Sequence, residues 1–185
     1  MVIDRKKEAQ KNFAQYLEDG LIKKEKNETA KAMYIKNAVL SLNLAEECMN
    51  SNLKPYIWVI VMSYYSMFYI ANAVLLELGY KTGDKIVHKV TNDALIVLVT
   101  DKIKKWLLEE YENAKEDALD IASIKSDEII GLYGLEMGKR SRFQYNMTES
   151  IQEQKANTSL KRARQFMLEM KKLLPLSKST WNYLK

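Results

Sequence analysis

The sequence has few of the residues that build covalent cross-links or metal centres. Its 185 residues include one cysteine, Cys48, and one histidine, His88. A single cysteine excludes an internal disulfide, and one cysteine with one histidine cannot supply the Cys/His ligand set of a structural zinc site. We therefore expect no metal and no cofactor, and we interpret Cys48 as a small buried hydrophobic residue.

Proline and glycine are also scarce. The only prolines are Pro55 and Pro175, and the chain has six glycines. A β protein would need many turn residues across residues 56–174, so long helices are favoured there. Hydrophobic residues make up 47% and charged residues 29% of the chain, which excludes disorder and allows a core. Together with the length, this composition predicts one all-α domain over residues 1–185.

One uncharged stretch, Pro55–Leu76, is close to the ~20 residues that a membrane span needs. Its second half carries Ser63, Tyr69 and Asn72, which would place polar groups in hydrocarbon. We therefore predict no membrane span but a helix buried in a bundle or in a dimer interface. Charged residues begin at Asp4, so no signal peptide is evident and we expect a cytoplasmic protein.

Apolar residues recur at helical spacing along most of the chain. We predict helices over about 29–50, 56–78 and 151–174, and one that begins after Asp84 as its N-cap. A further long helix follows a break near Asp101, with an interruption at 123–127 and a continuation over 127–145. Residues 1–28 are predicted as an N-terminal helical extension with a thin apolar stripe of Phe13, Leu17 and Leu21, and residues 176–185 as a C-terminal tail.

The charge is weakly basic and uneven. The formal net charge is +5, and residues 139–172 contain nine lysines and arginines against three glutamates. Such an excess favours an anionic partner. The alternative is that these side chains only solvate the outer faces of helices.

Several short motifs follow one another along the chain. The first is Ser63-Tyr64-Tyr65-Ser66-Met67-Phe68-Tyr69, followed by Leu75-Leu76 and Gly79, which resembles the second core helix of the HEPN domain family. His88 falls where many members have a histidine that opens the next helix. Leu132-Tyr133 to Tyr145 resembles the segment before the last helix, and Ala163, Phe166 and Leu173-Leu174 resemble the closing pattern. The resemblance covers roughly residues 29–175.

This resemblance implies an up-and-down bundle of four to five core helices, with the N-terminal helix as an extra element. It also implies a homodimer. Such proteins are commonly encoded with a minimal nucleotidyltransferase in toxin–antitoxin type systems. Some members are metal-independent ribonucleases, in which an arginine, a polar residue and a later histidine meet across the dimer cleft.

The matching site of this chain departs from the ribonuclease pattern. Arg140 and Ser141 fit the arginine and the polar residue, but Tyr145, Asn146 and Met147 stand where the histidine would fall. The pKa of a tyrosine near 10 makes Tyr145 a poor acid or base at neutral pH. Whether the chain is an enzyme is therefore left open, with a non-enzymatic role preferred. If it is a ribonuclease, Arg140 and Tyr145 are the expected catalytic residues.

Gln144 lies one helical turn after Arg140 and shares its face. We interpret this pair, with neighbouring cations, as a contact for the phosphates of a nucleotide or RNA in a dimer groove. The residues are Lys139, Arg140, Arg142 and Gln144. The alternative is a structural cluster that bonds carbonyls or acids between helices. The preferred function is thus a nucleotide-, RNA- or partner-binding module, with a ribonuclease toxin and a purely structural helical adaptor as alternatives.

Overall fold

The structure is a computed structural model that describes residues 2–133 and 149–175. Six helices and two short strands occur in this part of the chain, which is the predicted all-α helical bundle. The elements are α1 (Val2–Glu18), β1 (Ile22–Lys24), α2 (Glu28–Asn50), α3 (Tyr56–Glu77), β2 (Tyr80–Thr82), α4 (Val87–Val99), α5 (Lys105–Tyr133) and α6 (Glu149–Lys171).

The uncharged helix α3 lies at the centre of the bundle. It packs against α2, α4, α5 and α6. By length and composition α3 could cross a membrane, but 78% of its most apolar window is buried inside the protein. The prediction of a buried helix is consistent with this packing, because a central helix must be apolar on most of its sides.

Helix α2 begins and ends where the sequence provides local signals. The side chain of Asn27 accepts a hydrogen bond from the backbone N–H of Ala30 at 2.9 Å, which caps the helix. The chain leaves α2 at Ser51 and enters α3 after Pro55, whose ring suits the residue before a helix. These signals explain why the predicted bounds of α2 and α3 agree with the structure.

Helix α1 contributes to the main core. Its Ala9, Phe13 and Tyr16 are buried in the same cluster as residues of α3, α4 and α5. The apolar stripe predicted for this helix also included Leu21, but α1 ends at Glu18 and Leu21 lies in the turn that follows.

The two strands were not predicted. They pair antiparallel, with Ile22 opposite Thr82 and Lys24 opposite Tyr80. Buried Asn72 of α3 anchors this ribbon, because its Oδ1 accepts a hydrogen bond from the hydroxyl of Thr82 at 2.7 Å. The ribbon therefore covers one end of α3 and is fixed to it by a buried polar contact.

Two local predictions are wrong. Asp84 does not cap α4, which begins at Val87 after Ile86 with a positive φ of 44° and no side-chain cap. No interruption occurs at residues 123–127, since α5 runs unbroken from Lys105 to Tyr133. The chain has neither proline nor glycine over residues 105–130, so nothing there breaks the helix.

Candidate functional site

The segment that carries the predicted site lies outside the described residues. In the sequence it follows the end of α5 and precedes the start of α6. The predicted residues within it are Lys139, Arg140, Arg142, Gln144 and Tyr145. Their grouping around a groove therefore stays a prediction, and the functional groups described below belong to the helices of the described part.

Arginines of α6 belong to the basic C-terminal third, and the structure gives them partners. Arg162 forms ion pairs with Glu110 and Asp117 of α5, and its Nη1 lies 3.3 Å from Asp117 Oδ2. Arg164 Nε lies 2.8 Å from Glu46 Oε1 of α2. These two arginines therefore join neighbouring helices, whereas the alternative considered for the basic residues was that they only solvate the outer faces of helices.

The only histidine of the chain forms a hydrogen bond between α4 and α3. His88 lies in the first turn of α4, where the resemblance to the HEPN family placed it. Its Nδ1 lies 2.6 Å from the hydroxyl oxygen of Tyr64 on α3. Tyr64 is fully buried and His88 is half-buried, so the hydrogen bond is partly buried.

Aromatic rings surround this pair. The centroid of the His88 ring lies 4.7 Å from that of Phe68 and 6.2 Å from that of Tyr65, with the Tyr65 contact edge-on. Behind Tyr64 lies the ring of Tyr111 of α5, at 5.9 Å between centroids. The serine- and tyrosine-rich motif of α3 therefore builds the pocket in which His88 is held.

This environment decides the charge of both groups. Burial, followed by the positive charge of Lys115, holds the pKa of His88 below its usual value. Burial also raises the pKa of Tyr64 well above its usual value. At neutral pH the site thus contains a neutral imidazole and a protonated phenol, and Nε2 of His88 makes no hydrogen bond with any described residue. Such an imidazole can accept or donate one proton, which is what acid–base chemistry or base recognition requires.

A second buried polar cluster was missed by the sequence analysis. Asp93 of α4 is fully buried and accepts three hydrogen bonds from α1. The donors are Arg5 Nη2 at 2.7 Å, Tyr16 at 2.9 Å and Asn12 at 3.0 Å. Glu112 of α5 also accepts from Arg5, at 3.1 and 3.2 Å. The spacing of Arg5, Asn12 and Tyr16 at i, i+7 and i+11 was the one available signal, since it places them on one face of α1.

The same cluster lies at one wall of a groove of about 640 Å³ between α1, α4 and α5. Ile96 and Leu108 form apolar parts of its surface, and Lys6, Lys105 and Glu109 are among its charged residues. Cations and acids are mixed around it, so its charge does not select a ligand. We regard the Asp93 cluster as structural support for α1.

No group of His, Cys, Asp and Glu side chains suited to a metal ion occurs within residues 2–133 and 149–175. Cys48 is half-buried and packs against the smaller apolar cluster at the α2–α3 end of the bundle. The cluster contains Tyr56, Val59, Ile60, Ile121 and Leu160. Its surroundings agree with the interpretation of Cys48 as a packing residue.

Comparison with known proteins gives one result. The HEPN domain family matches residues 32–173, a range that runs from within α2 to beyond the end of α6 and includes the Tyr64–His88 pair and the segment with Arg140. No curated protein and no solved structure matches the chain. Since the family match covers well over half of the sequence, and the helical bundle agrees with it, the chain belongs to the HEPN domain family.

Proposed function

We propose that the chain is a nucleotide- or RNA-binding or partner-binding module that works with a minimal nucleotidyltransferase in a toxin–antitoxin type system. Membership of the HEPN family supports a nucleotide- or RNA-related role in general terms. In this proposal, Lys139, Arg140, Arg142 and Gln144 contact phosphates in a groove between two copies of the chain.

The observation that carries the proposal is the extent of the family match. It includes the whole segment between α5 and α6, where Arg140 and Gln144 stand one helical turn apart in sequence. The guanidinium of an arginine is permanently charged and binds phosphate with two parallel hydrogen bonds. Arg162 and Arg164 of α6, by contrast, form ion pairs with neighbouring helices.

A homodimer is part of the proposal, and the surface of α3 supports it. Trp58, Met62, Tyr65 and Tyr69 recur at i, i+4, i+7 and i+11, on one side of a helix that is otherwise buried. Trp58 is 51% exposed, and the other three are half-buried. Aromatic residues and methionine are the types enriched at the centres of protein interfaces. We call these four residues the aromatic stripe and propose that a second copy covers it.

A metal-independent ribonuclease is the second candidate, and the Tyr64–His88 pair favours it. RNA cleavage without a metal needs a group that moves a proton and a cation near the phosphorus. Tyr145 is a poor proton acceptor at neutral pH. His88, in contrast, is half-buried with a neutral imidazole, and its Nε2 makes no hydrogen bond with a described residue. The ribonuclease would use Arg140 as the cation, with His88 or Tyr145 as the acid–base group.

Two measurements separate these functions. Co-expression with the nucleotidyltransferase of the neighbouring gene should give a complex, and Arg140→Ala should weaken the binding of RNA or nucleotide. An unrelated neighbouring gene, together with unchanged ligand binding by Arg140→Ala, would refute the main proposal. Arg164→Ala is the matched control, because it removes one exposed arginine of the same basic region that pairs with Glu46 on the surface.

If the chain is a metal-independent ribonuclease, the purified protein should cleave single-stranded RNA in the presence of EDTA. Arg140→Ala and His88→Ala should each abolish this cleavage, and Tyr145→Phe should abolish it if tyrosine is the proton donor. Absence of cleavage by the native protein over RNAs of varied sequence would remove this function. A structural adaptor would bind its partner equally well with or without Arg140 and Gln144.

A further inference from the structure

The β ribbon carries an accumulation of cations that no part of the proposed function uses. Lys23 and Lys24 belong to β1, Lys26 follows it, and Lys81 lies in the middle of β2. We call these four residues the lysine ribbon. Lys23, Lys24 and Lys26 are exposed, and none of them forms an ion pair with a described residue.

The register of the two strands concentrates this charge. Lys23 stands directly opposite Lys81. Like charges in this cross-strand position destabilise a sheet. One acid relieves the repulsion in part, because Glu25 Oε1 lies 2.9 Å from Lys81 Nζ. The remaining repulsion between the lysines destabilises the ribbon, and binding of an anion would reduce this repulsion.

A concave surface of about 390 Å³ lies beside two of these lysines, Lys24 and Lys26. Lys24, Glu25, Lys26, Gly79 and Tyr80 are among the residues that line it. Gly79 adopts a φ of +87°, and the Cε atom of Lys26 lies 4.0 Å from the position that a Cβ of Gly79 would occupy. The lysine side chain thus extends over bare backbone at the edge of the concavity.

The floor of this surface is held in place by the core. The ring of Tyr80 packs edge-on against Phe13 of α1, with 5.4 Å between centroids. On the same side of the ribbon, Ile22 is fully buried and Thr82 is bonded to Asn72. The backbone of the ribbon that carries the lysines is therefore fixed to the core, which reduces the entropic cost of ordering this surface around a ligand.

We propose that the lysine ribbon binds the phosphodiester backbone of single-stranded RNA. Lysines are point charges that attract phosphates without reading bases, and each neutralised phosphate releases counterions. The ribbon itself exposes no aliphatic side chain for insertion into a lipid surface, since Ile22 is buried. The choice of RNA as the polyanion rests on the proposed function, whereas the position of the site does not.

The test uses the full chain and a fluorescently labelled single-stranded RNA of mixed sequence. Fluorescence anisotropy over a range of salt concentrations gives the affinity and its salt dependence. For Lys23→Gln/Lys24→Gln/Lys26→Gln we expect at least tenfold weaker binding at low salt. The slope of log K against log salt should become shallower by about two, because each phosphate contact on a single strand contributes about 0.7.

The matched control is Lys102→Gln/Lys104→Gln/Lys105→Gln. It removes the same charge from three exposed lysines at the α4–α5 turn. This control should bind RNA nearly as the native chain does. Equal loss of affinity in both triple variants would mean that only net charge matters and would overturn the inference. Thermal unfolding of each variant by circular dichroism checks that the fold is unchanged.

Other outcomes overturn the inference without touching the proposed function. If Arg140→Ala loses RNA binding while the ribbon variant retains it, the segment between α5 and α6 is the RNA site and the ribbon is not. If the native chain forms a complex with the nucleotidyltransferase but binds no RNA, the ribbon inference fails alone. Binding to phosphatidylserine vesicles that depends on the ribbon, without RNA binding, would assign the surface to a lipid headgroup instead.

Discussion

Replacement of Asp93 by alanine tests how α1 is held to the bundle. The carboxylate is fully buried, and all three of its hydrogen-bond donors come from α1. We expect Asp93→Ala to lower the free energy of unfolding by about 3 to 5 kcal/mol, which is the range for loss of one partner from a buried charged cluster.

The magnitude follows from the fate of each donor. Arg5 is about one-third exposed and keeps Glu112 as an ion-pair partner. Of the three lost hydrogen bonds, the one from Arg5 to Asp93 is therefore the best compensated. The hydroxyl of Tyr16 is buried and loses its only hydrogen-bond acceptor among the described residues, which costs about 1 to 3 kcal/mol. Asn12 is half-buried and can regain water. Asp93→Asn keeps the shape of the side chain and should cost less, about 2 kcal/mol.

Urea unfolding, followed by circular dichroism and tryptophan fluorescence, measures both variants. For a chain of this size, 3 to 5 kcal/mol corresponds to a fall in Tm of roughly 6 to 20 °C. Asp101→Ala is the matched control, because Asp101 lies in the turn after α4, is exposed and forms a surface ion pair with Lys6 of α1, so its loss should cost under about 1 kcal/mol. If Asp93→Ala and Asp101→Ala lose the same small amount, the reasoning about the buried cluster is wrong.

Three further predictions concern the other parts of the molecule. Because burial and then Lys115 lower the pKa of His88, the unfolded chain takes up this proton at a higher pH than the folded chain does. Stability should therefore fall as the pH drops below about 6.5, and His88→Gln should flatten this dependence in unfolding curves measured at several pH values; an unchanged slope would contradict it. Trp58→Glu should convert the expected homodimer to monomers in sedimentation velocity, whereas Leu168→Glu, at a 63% exposed position on α6, should not; a monomeric native chain would refute the interface. Asn72→Leu should cost about 2 kcal/mol or more and speed hydrogen exchange in both strands, since it leaves buried hydroxyls without a partner.

The helices could be predicted because their signals are local. Buried Ala38 and Ala45 of α2, and buried Leu160, Ala163 and Met167 of α6, repeat at the spacing of one helix face. Asparagine 27 and the two prolines mark the ends of these segments. Such patterns need no knowledge of the rest of the fold, and the structure confirms them.

The ribbon and the Asp93 cluster could not be predicted because their partners are distant in sequence. β1 and β2 have three residues each, too few for an alternating pattern, and 55 residues separate the paired Lys24 and Tyr80 in the sequence. In the sequence around Asp93 nothing distinguishes it from an exposed polar residue of a helix, because its hydrogen-bond donors all lie in α1. The position of His88 at a helix start came from the family resemblance, but its contact with Tyr64 depends on how α3 and α4 pack.

The boundary of the family match differs from the boundary of the packed core. The match begins at residue 32, after α1, yet Asp93 lies inside it and all of its donors lie before it. A buried carboxylate without donors is strongly unfavourable, so an aspartate at this position requires a helix such as α1 beside it. Phe13 and Tyr16 add apolar contacts to the same core. Helix α1 is thus tied to the matched domain by a specific polar cluster as well as by hydrophobic packing, and we expect the stability of the HEPN bundle in this chain to depend on it.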